Sequence, residues 1–395
     1  MTTHRAIVDA LNASGEAGDS VVLATVVRVT GSSYGGVGAR MVVRIDGSTI
    51  GIVSGGCLET DLAEQARKIH ETGSARVVTY DTRADDDAAW GLGLGCNGLI
   101  DVLLEPLTST QARAFARLLS NALHKDSHSV LATVIGIGEF GNGSPAVGAH
   151  ALLTNDAVKT IGDWGDESIL GRARRCKDDA LAAGRRGLVT EFENVQVAFE
   201  IITPTVPLVI CGSGPDAIPL VRIAAQLGWD ITVVDHRPVA HAPVARFPEA
   251  KVVECPESLK LQTSVKLTSH TAAVVMSHHY ARDLEYVRAL LDAGVAYIGI
   301  LGPQARTERM FAEIAMQNAG SSPSRDSVFG PIGLDIGGDG PDAIALSVIA
   351  EISAVTSGRT GGHLRDRTGP LHGVGGGSIA AVAPTVQGLQ LKAYS

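Results

Sequence analysis

The chain has 395 residues, 45% hydrophobic and 19% charged, a globular composition long enough for two or three domains. Its net charge of −9 argues against nucleic acid as a main partner, because phosphate binding needs clustered lysine and arginine. Five widely spread cysteines (Cys57, Cys96, Cys176, Cys211, Cys255) include no C-x-x-C pair, which excludes an obvious zinc motif and disfavours a disulfide framework. No stretch resembles a signal peptide and no apolar run is long enough to span a bilayer, so a soluble cytoplasmic protein without membrane contact is expected.

In chain order, the first strand expected is Val22-Leu23-Ala24-Thr25-Val26. A glycine-rich link over residues 31–40 follows, containing Ser32, Ser33, Gly35, Gly36 and Gly38. It could cradle an anion through backbone N–H groups, and a long hairpin loop explains it equally well. Next comes Ser54-Gly55-Gly56-Cys57-Leu58-Glu59, at the expected start of a helix over 58–72. Gly55 and Gly56 let the backbone turn tightly and bring bare N–H groups toward a ligand. A cysteine at that place suits carrying sulfur, contacting a metal cofactor or attacking an electrophile. The bland alternative is a tight turn with a buried thiol. Farther on, Gly93, Gly95 and Gly98 surround Cys96 just before a strand over 99–104, making Cys96 a candidate second thiol of one site.

The chain then echoes itself. Val130-Leu131-Ala132-Thr133-Val134 repeats the first strand, and Val147-Gly148-Ala149 repeats Val37-Gly38-Ala39. A second helix is expected over 167–183, and Arg186-Gly187-Leu188-Val189-Thr190 matches Arg76-Val77-Val78-Thr79. Residues 1–107 and 108–205 therefore read as two divergent copies of one α/β unit. The second copy has Trp164-Gly165-Asp166-Glu167 in place of the Gly-Gly-Cys turn, and only a polar stretch over 192–196 in place of the Cys96 loop. If the fold needed those glycines and cysteines, both copies would carry them.

A third domain, residues 206–357, opens with the apolar strand Pro207-Leu208-Val209-Ile210-Cys211. Gly212-Ser213-Gly214-Pro215-Asp216-Ala217 and a helix over 218–227 follow, a G-x-G-x-x-A turn in strand–turn–helix context. Gly212 makes the turn, Gly214 admits a pyrophosphate, and the small Ala217 permits close packing. The next strand ends at Asp235, placed for ribose hydroxyls, and Arg237 beside it could tolerate an added phosphate. Strands over 272–276 and 297–301 and helices over 282–293, 303–318 and 341–355 complete a Rossmann-like parallel sheet. His278 falls at a strand's carboxyl end, as a candidate ligand contact or a plain surface histidine. Residues 358–395 are glycine-rich and read as a tail.

The Ser54–Glu59 motif and the Gly95-Cys96 loop resemble the N-terminal signature of the XdhC/CoxI family. The Gly212 turn, Asp235-His236-Arg237 and Pro331-Ile332-Gly333-Leu334-Asp335-Ile336-Gly337 resemble its C-terminal Rossmann domain. Two positions depart from the family pattern, Pro215 where many members carry histidine and Asn97 where they carry a third glycine. The resemblance implies an accessory factor for molybdenum hydroxylases of the xanthine dehydrogenase and carbon monoxide dehydrogenase type. Such a factor binds the molybdenum cofactor (molybdopterin, including a cytosine dinucleotide form), supports its sulfuration with a cysteine desulfurase, and delivers it to the apoenzyme. On this reading Cys57, with Cys96, handles the sulfur or molybdenum end, while Gly212, Gly214 and Asp235 hold the nucleotide end. The chain would be a maturation chaperone rather than a stand-alone enzyme, and a homodimer is compatible with it. The rival reading is an NAD(P)-dependent oxidoreductase using the same Rossmann turn.

Overall fold

The computed structural model describes residues 4–31, 33–81, 98–138, 144–165, 167–183, 186–238, 244–317 and 323–366. It divides into two compact units, Met1–Pro204 and Thr205–Gly369. The first holds two five-stranded antiparallel sheets built by the same element order used twice. The first pass runs α1 (His4–Ala17), β1 (Val21–Gly31), β2 (Arg40–Arg44), β3 (Thr49–Gly51), α2 (Glu59–Thr72), β4 (Arg76–Asp81) and β5 (Gly98–Leu107). The second runs α3 (Ser109–Leu123), β6 (Ser129–Ile137), β7 (His150–Leu153), β8 (Val158–Ile161), α4 (Glu167–Arg175), α5 (Lys177–Ala182), β9 (Gly187–Phe192) and β10 (Val195–Ile202). Strand orders are β3-β2-β1-β5-β4 and β8-β7-β6-β10-β9, position for position the same. The duplication read from short echoes is thus a duplication of topology. The helix expected over 167–183 breaks at Cys176 into α4 and α5.

Alternation along the strands explains the layers. Val21 and Leu23 face a core shared with Ile7 and Leu11 of α1 and Phe115 and Leu119 of α3, which also takes Leu131 and Ile202 from the other sheet. Val22, Ala24 and Val26 point the other way, onto Leu62, Ala66 and Ile69 of α2. Val130, Ala132 and Val134 do the same beneath Ile169 and Ala173 of α4. Because both faces of the central strands are buried, β1 and β6 read as continuous apolar runs in the sequence. Local signals set the helix ends. Thr108 and Gln111 form a reciprocal capping box on α3, and Gly73, at φ 67°, closes α2 by donating to the Ile69 carbonyl.

The second unit is a six-stranded parallel sheet. Its elements are β11 (Pro207–Cys211), α6 (Ala217–Gln226), β12 (Asp230–Asp235), β13 (Lys251–Glu254), α7 (Leu261–Ser264), β14 (Ala272–Val275), α8 (Tyr280–Ala293), β15 (Tyr297–Ile300), α9 (Gln304–Gln317), β16 (Val328–Phe329) and α10 (Pro341–Thr356). The order β13-β12-β11-β14-β15-β16 is that of a doubly wound Rossmann sheet. Leu208 and Ile210 pack toward α6 and α10, while Val209 and Cys211 pack toward α8 and α9. The strand order reverses between β11 and β14, and at that point such sheets bind ligands outside their carboxyl ends.

Candidate functional site

In the first unit, two glycine-rich segments of the first copy meet. Residues 31–40 link β1 to β2, and residues 52–58 link β3 to α2. A Cβ on Gly35 would collide with the Val53 carbonyl, and a Cβ on Gly55 would lie 3.3 Å from Cγ of Tyr34, so the two loops need glycine to approach. Gly55 and Gly56 hold φ angles of 113° and 107°, which side-chain-bearing residues rarely adopt. Glu59, the first residue of α2, sets the loop's shape. Its carboxylate accepts from the N–H of Val53 (3.0 Å), the N–H of Ser54 (2.8 Å) and the Ser54 hydroxyl (2.6 Å). The Leu58 N–H donates to Ser54 Oγ at 2.9 Å. Burial would raise the Glu59 carboxyl, but the bonds from Ser54 and Val53 hold it below the ordinary carboxylate value.

Cys57 is exposed on this loop, one residue outside the Leu58 cap of α2. Among the described residues the N–H groups of Gly55, Gly56 and Cys57 have no acceptor. The loop therefore presents a thiol beside three backbone donors, an arrangement suited to a ligand carrying negative charge. Cys96 and its glycines at residues 91–97 lie outside the described residues.

The two copies are tied by a pair of buried polar contacts that the sequence reading missed. Arg40, at the start of β2, donates through Nη1 to Glu200 Oε1 of β10 at 2.9 Å, and its Nη2 also bonds Glu200 Oε2. At the equivalent places, His150 of β7 meets Glu105 of β5 at 2.8 Å. Gly38 and Gly148, at φ 87° and 88°, lie against the two carboxylates, where a Cβ would collide with Glu200 Oε1 or come within 2.9 Å of Glu105 Oε1. The echo Val37-Gly38-Ala39 and Val147-Gly148-Ala149 is thus the signature of a two-fold contact, each copy receiving the other's glutamate. Burial opposes ionisation of Glu200, but the charge and bonds of Arg40 lower its pKa below the ordinary value.

In the second unit the predicted Rossmann residues gather at the carboxyl ends of β11, β12 and β14. Gly212, at φ 138°, passes so close to β14 that a Cβ would lie 2.5 Å from the Met276 carbonyl oxygen. Ala217 is fully buried where α6 starts. Asp235 is buried, and its carboxylate is already engaged. Arg237 bonds it through Nε (3.0 Å), Nη2 (2.6 Å) and the backbone N–H (2.8 Å), and Ser213 donates its hydroxyl. Burial would raise this carboxyl, but Arg237 and Ser213 hold it well below the usual carboxylate range. The polar face offered at the end of β12 is therefore the exposed Arg237 guanidinium. His278, at φ 60°, meets Asp216 at 2.7 Å beside Gly214. Its loop is pinned by buried Asp283 of α8, which accepts from the Ser277 N–H and hydroxyl and pairs with Arg306 at 2.8 Å.

Gly55, Gly56 and Cys57 thus share one loop, and Gly212, Gly214, Ala217, Asp235, Arg237 and His278 share one strand-end cluster. Glu59, Ser213, Asp216 and Asp283 were missed as organisers, although an acidic residue in a helix's first turn was a usable signal for Glu59, after its glycine loop, and for Asp283. Among the described residues no group of three or more His, Cys, Asp or Glu side chains is placed to hold a metal ion, and no helix is long and apolar enough to cross a membrane.

Comparison with known proteins places this geometry. Residues 15–81 match the model of the XdhC and CoxI family, and residues 208–352 match that of the XdhC Rossmann domain. A Bacillus subtilis protein named as a probable xanthine dehydrogenase subunit is 32% identical over 342 residues, 87% of this chain and 95% of that protein. The "molybdenum cofactor insertion chaperone PaoD" of Escherichia coli is 24% identical over 353 residues, 89% of this chain and 88% of the chaperone. A crystal structure described as a xanthine dehydrogenase from Bacillus halodurans superposes with a TM-score of 0.71 at 29% identity, covering 90% of this chain and 97% of that one. With the glycine–cysteine loop, the Rossmann strand order and a relative matched nearly end to end, the chain belongs to the XdhC and CoxI family.

Proposed function

We propose that this chain takes the molybdenum cofactor as cargo, supports its sulfuration, and aids its insertion into a molybdenum hydroxylase apoenzyme of the xanthine dehydrogenase or carbon monoxide dehydrogenase type. The observation that carries the reading is the Ser54–Glu59 loop: an exposed thiol with three unclaimed backbone donors, held in shape by Glu59. The relative named as a molybdenum cofactor insertion chaperone supports it. The cargo brings a metal–sulfur group and an anionic phosphoryl end. On this chain Cys57 would face the former, with Cys96 as the candidate second thiol and a cysteine desulfurase as the sulfur donor. Taken by itself, the second unit offers the Gly212 turn and Arg237, which suit a nucleotide phosphate.

The test is the ligand that copurifies. Wild-type protein expressed beside its hydroxylase should retain a molybdopterin species by mass spectrometry, and Cys57→Ser should lower the sulfurated fraction of the hydroxylase at least tenfold. Normal sulfuration with Cys57→Ser would overturn the assignment. The second reading, a nicotinamide nucleotide on the Rossmann unit, is favoured by the β13-β12-β11-β14-β15-β16 order. NADH fluorescence would rise on mixing if that reading holds.

A further inference from the structure

The first unit contains a cavity of about 80 Å³ at the seam between the two copies, lined by His4, Tyr34, Gly35, Gly36, Arg40 and Arg186. That is room for several waters or one tetrahedral oxyanion. Its walls carry donors with nothing to donate to. Among the described residues the N–H groups of Gly35, Gly36 and Val37 have no acceptor, although Gly35 is buried. Buried Arg40 leaves its Nε without a partner, and Arg186, one contact from Gly36, has no ion-pair partner among the described residues. Buried donors in native proteins are nearly always satisfied, so the Gly35 N–H and Arg40 Nε call for an acceptor from outside, and the half-buried Gly36 and Val37 N–H groups stand beside them.

The second copy supplies an internal control, because most of the residues at the same place there are bulkier or already hydrogen-bonded. Position for position across the repeat, His4 corresponds to Ala112, Ile7 to Phe115, Gly35 to Pro145 and Gly36 to Ala146. The Phe115 ring packs 4.7 Å from the His150 ring. Pro145 has no N–H, and the Ala146 N–H donates to the Asp163 carbonyl at 2.8 Å. At this place, therefore, the second copy has removed or satisfied two of the donors that the first copy leaves without an acceptor.

We propose that this cavity is an oxyanion site of the first copy, taking the phosphoryl group of a larger ligand whose body extends over Tyr34 toward the Cys57 loop. Tyr34 connects the two places, since it lines the cavity and its ring lies against Gly55. The backbone donors form a nest for the anion, and Arg186 supplies the uncompensated charge, while Arg40 is already paired with Glu200. The inference deepens the cofactor reading and rests on it for the identity of the ligand's body.

The experiment titrates inorganic phosphate into the full-length chain by calorimetry and by ³¹P line broadening. Two variants accompany it, Arg186→Gln at the exposed rim and Ile7→Phe, which copies the plug of the second copy. Wild type should bind one phosphate, Arg186→Gln at least fivefold more weakly, and Ile7→Phe not at all, with melting curves reporting that each variant is folded. Absence of phosphate binding by wild type, or binding untouched by Arg186→Gln, overturns the site. The two readings separate cleanly. Phosphate binding lost in the variants without any copurifying pterin leaves the anion site standing and removes the cofactor reading. A copurifying pterin with phosphate binding indifferent to Arg186→Gln does the reverse.

Discussion

Replacing Glu200 by leucine tests whether the two copies are held together electrostatically as well as by their shared core. The Arg40 side chain is 1% exposed and that of Glu200 9%, so removing the carboxylate leaves a buried guanidinium that cannot deprotonate and has lost its counter-charge. Breaking a buried pair in this way costs about 3–5 kcal/mol. For a unit of this size each kcal/mol corresponds to roughly 2–4 °C, so the first unit should melt about 6–20 °C lower. The double variant Arg40→Leu/Glu200→Leu removes both charges and should recover most of that loss. Differential scanning calorimetry of the full chain, with hydrogen exchange across β2 and β10 to assign the transition, would measure both. The pH dependence has a definite sign. The folded Glu200 carboxyl is held below its unfolded value of about 4.3, so its contribution is complete above that pH and is lost as pH falls through the folded value. The double variant should lose less stability in acid than wild type. A Glu200→Leu penalty below about 1 kcal/mol, or a double variant as unstable as the sum of the singles, would refute the reasoning.

Two further outcomes probe the candidate sites. Glu59→Gln should loosen residues 53–58, read as faster amide exchange there and faster alkylation of Cys57 by iodoacetamide, because the carboxylate accepts three of the bonds that shape the loop. Unchanged exchange would mean that the glycines alone set the turn. Arg237→Gln should bring the Asp235 carboxyl back toward its ordinary value, since Arg237 supplies most of the bonds that depress it. Wild type then loses the Asp235 contribution as pH falls below about 4, and the variant has less of it to lose, a difference that acid unfolding of the two proteins would report.

The Rossmann unit was readable almost element by element, because β11, the Gly212 turn, α6 and the acid ending β12 are contiguous and each has a local signature. Short, half-exposed β13 and two-residue β16 escaped, since they belong to the sheet through pairing with β12 and β15 rather than through pattern. The first unit was legible as a repeat but not as an architecture. Nothing local says that α1 and α3 pack into one core between two sheets, or that Arg40 pairs with a glutamate 160 positions away. Equally, Asp235 was correctly placed at a strand end, yet its engagement by Arg237 is side-chain geometry that no motif encodes. Burial without a partner, as at Gly35 and Arg40 Nε, is visible only once the chain is folded.

What the second copy did with the same positions explains why the first carries the candidate site. At the place of buried Ser54, Trp164 is buried and donates through Nε1 to the His150 carbonyl at 3.0 Å, so the ring fills the place that Ser54 and its hydrogen bonds to Glu59 hold in the first copy. At the place of residues 82–97, Glu193 and Asn194 make a two-residue turn with φ of 47° and 68°, the tight hairpin that two antiparallel strands adopt when nothing else is required of them. Phe115 plugs the cavity position against His150. The changes at Trp164 and Phe115 put a large ring where the first copy has the smaller Ser54 and Ile7. A duplicated unit needs only one working site, and the other copy is then free to gain stability. On that logic, if the Gly-Gly-Cys loop and the cavity beside it bind the proposed ligand, the first copy has forgone stability there that its twin shows to be available.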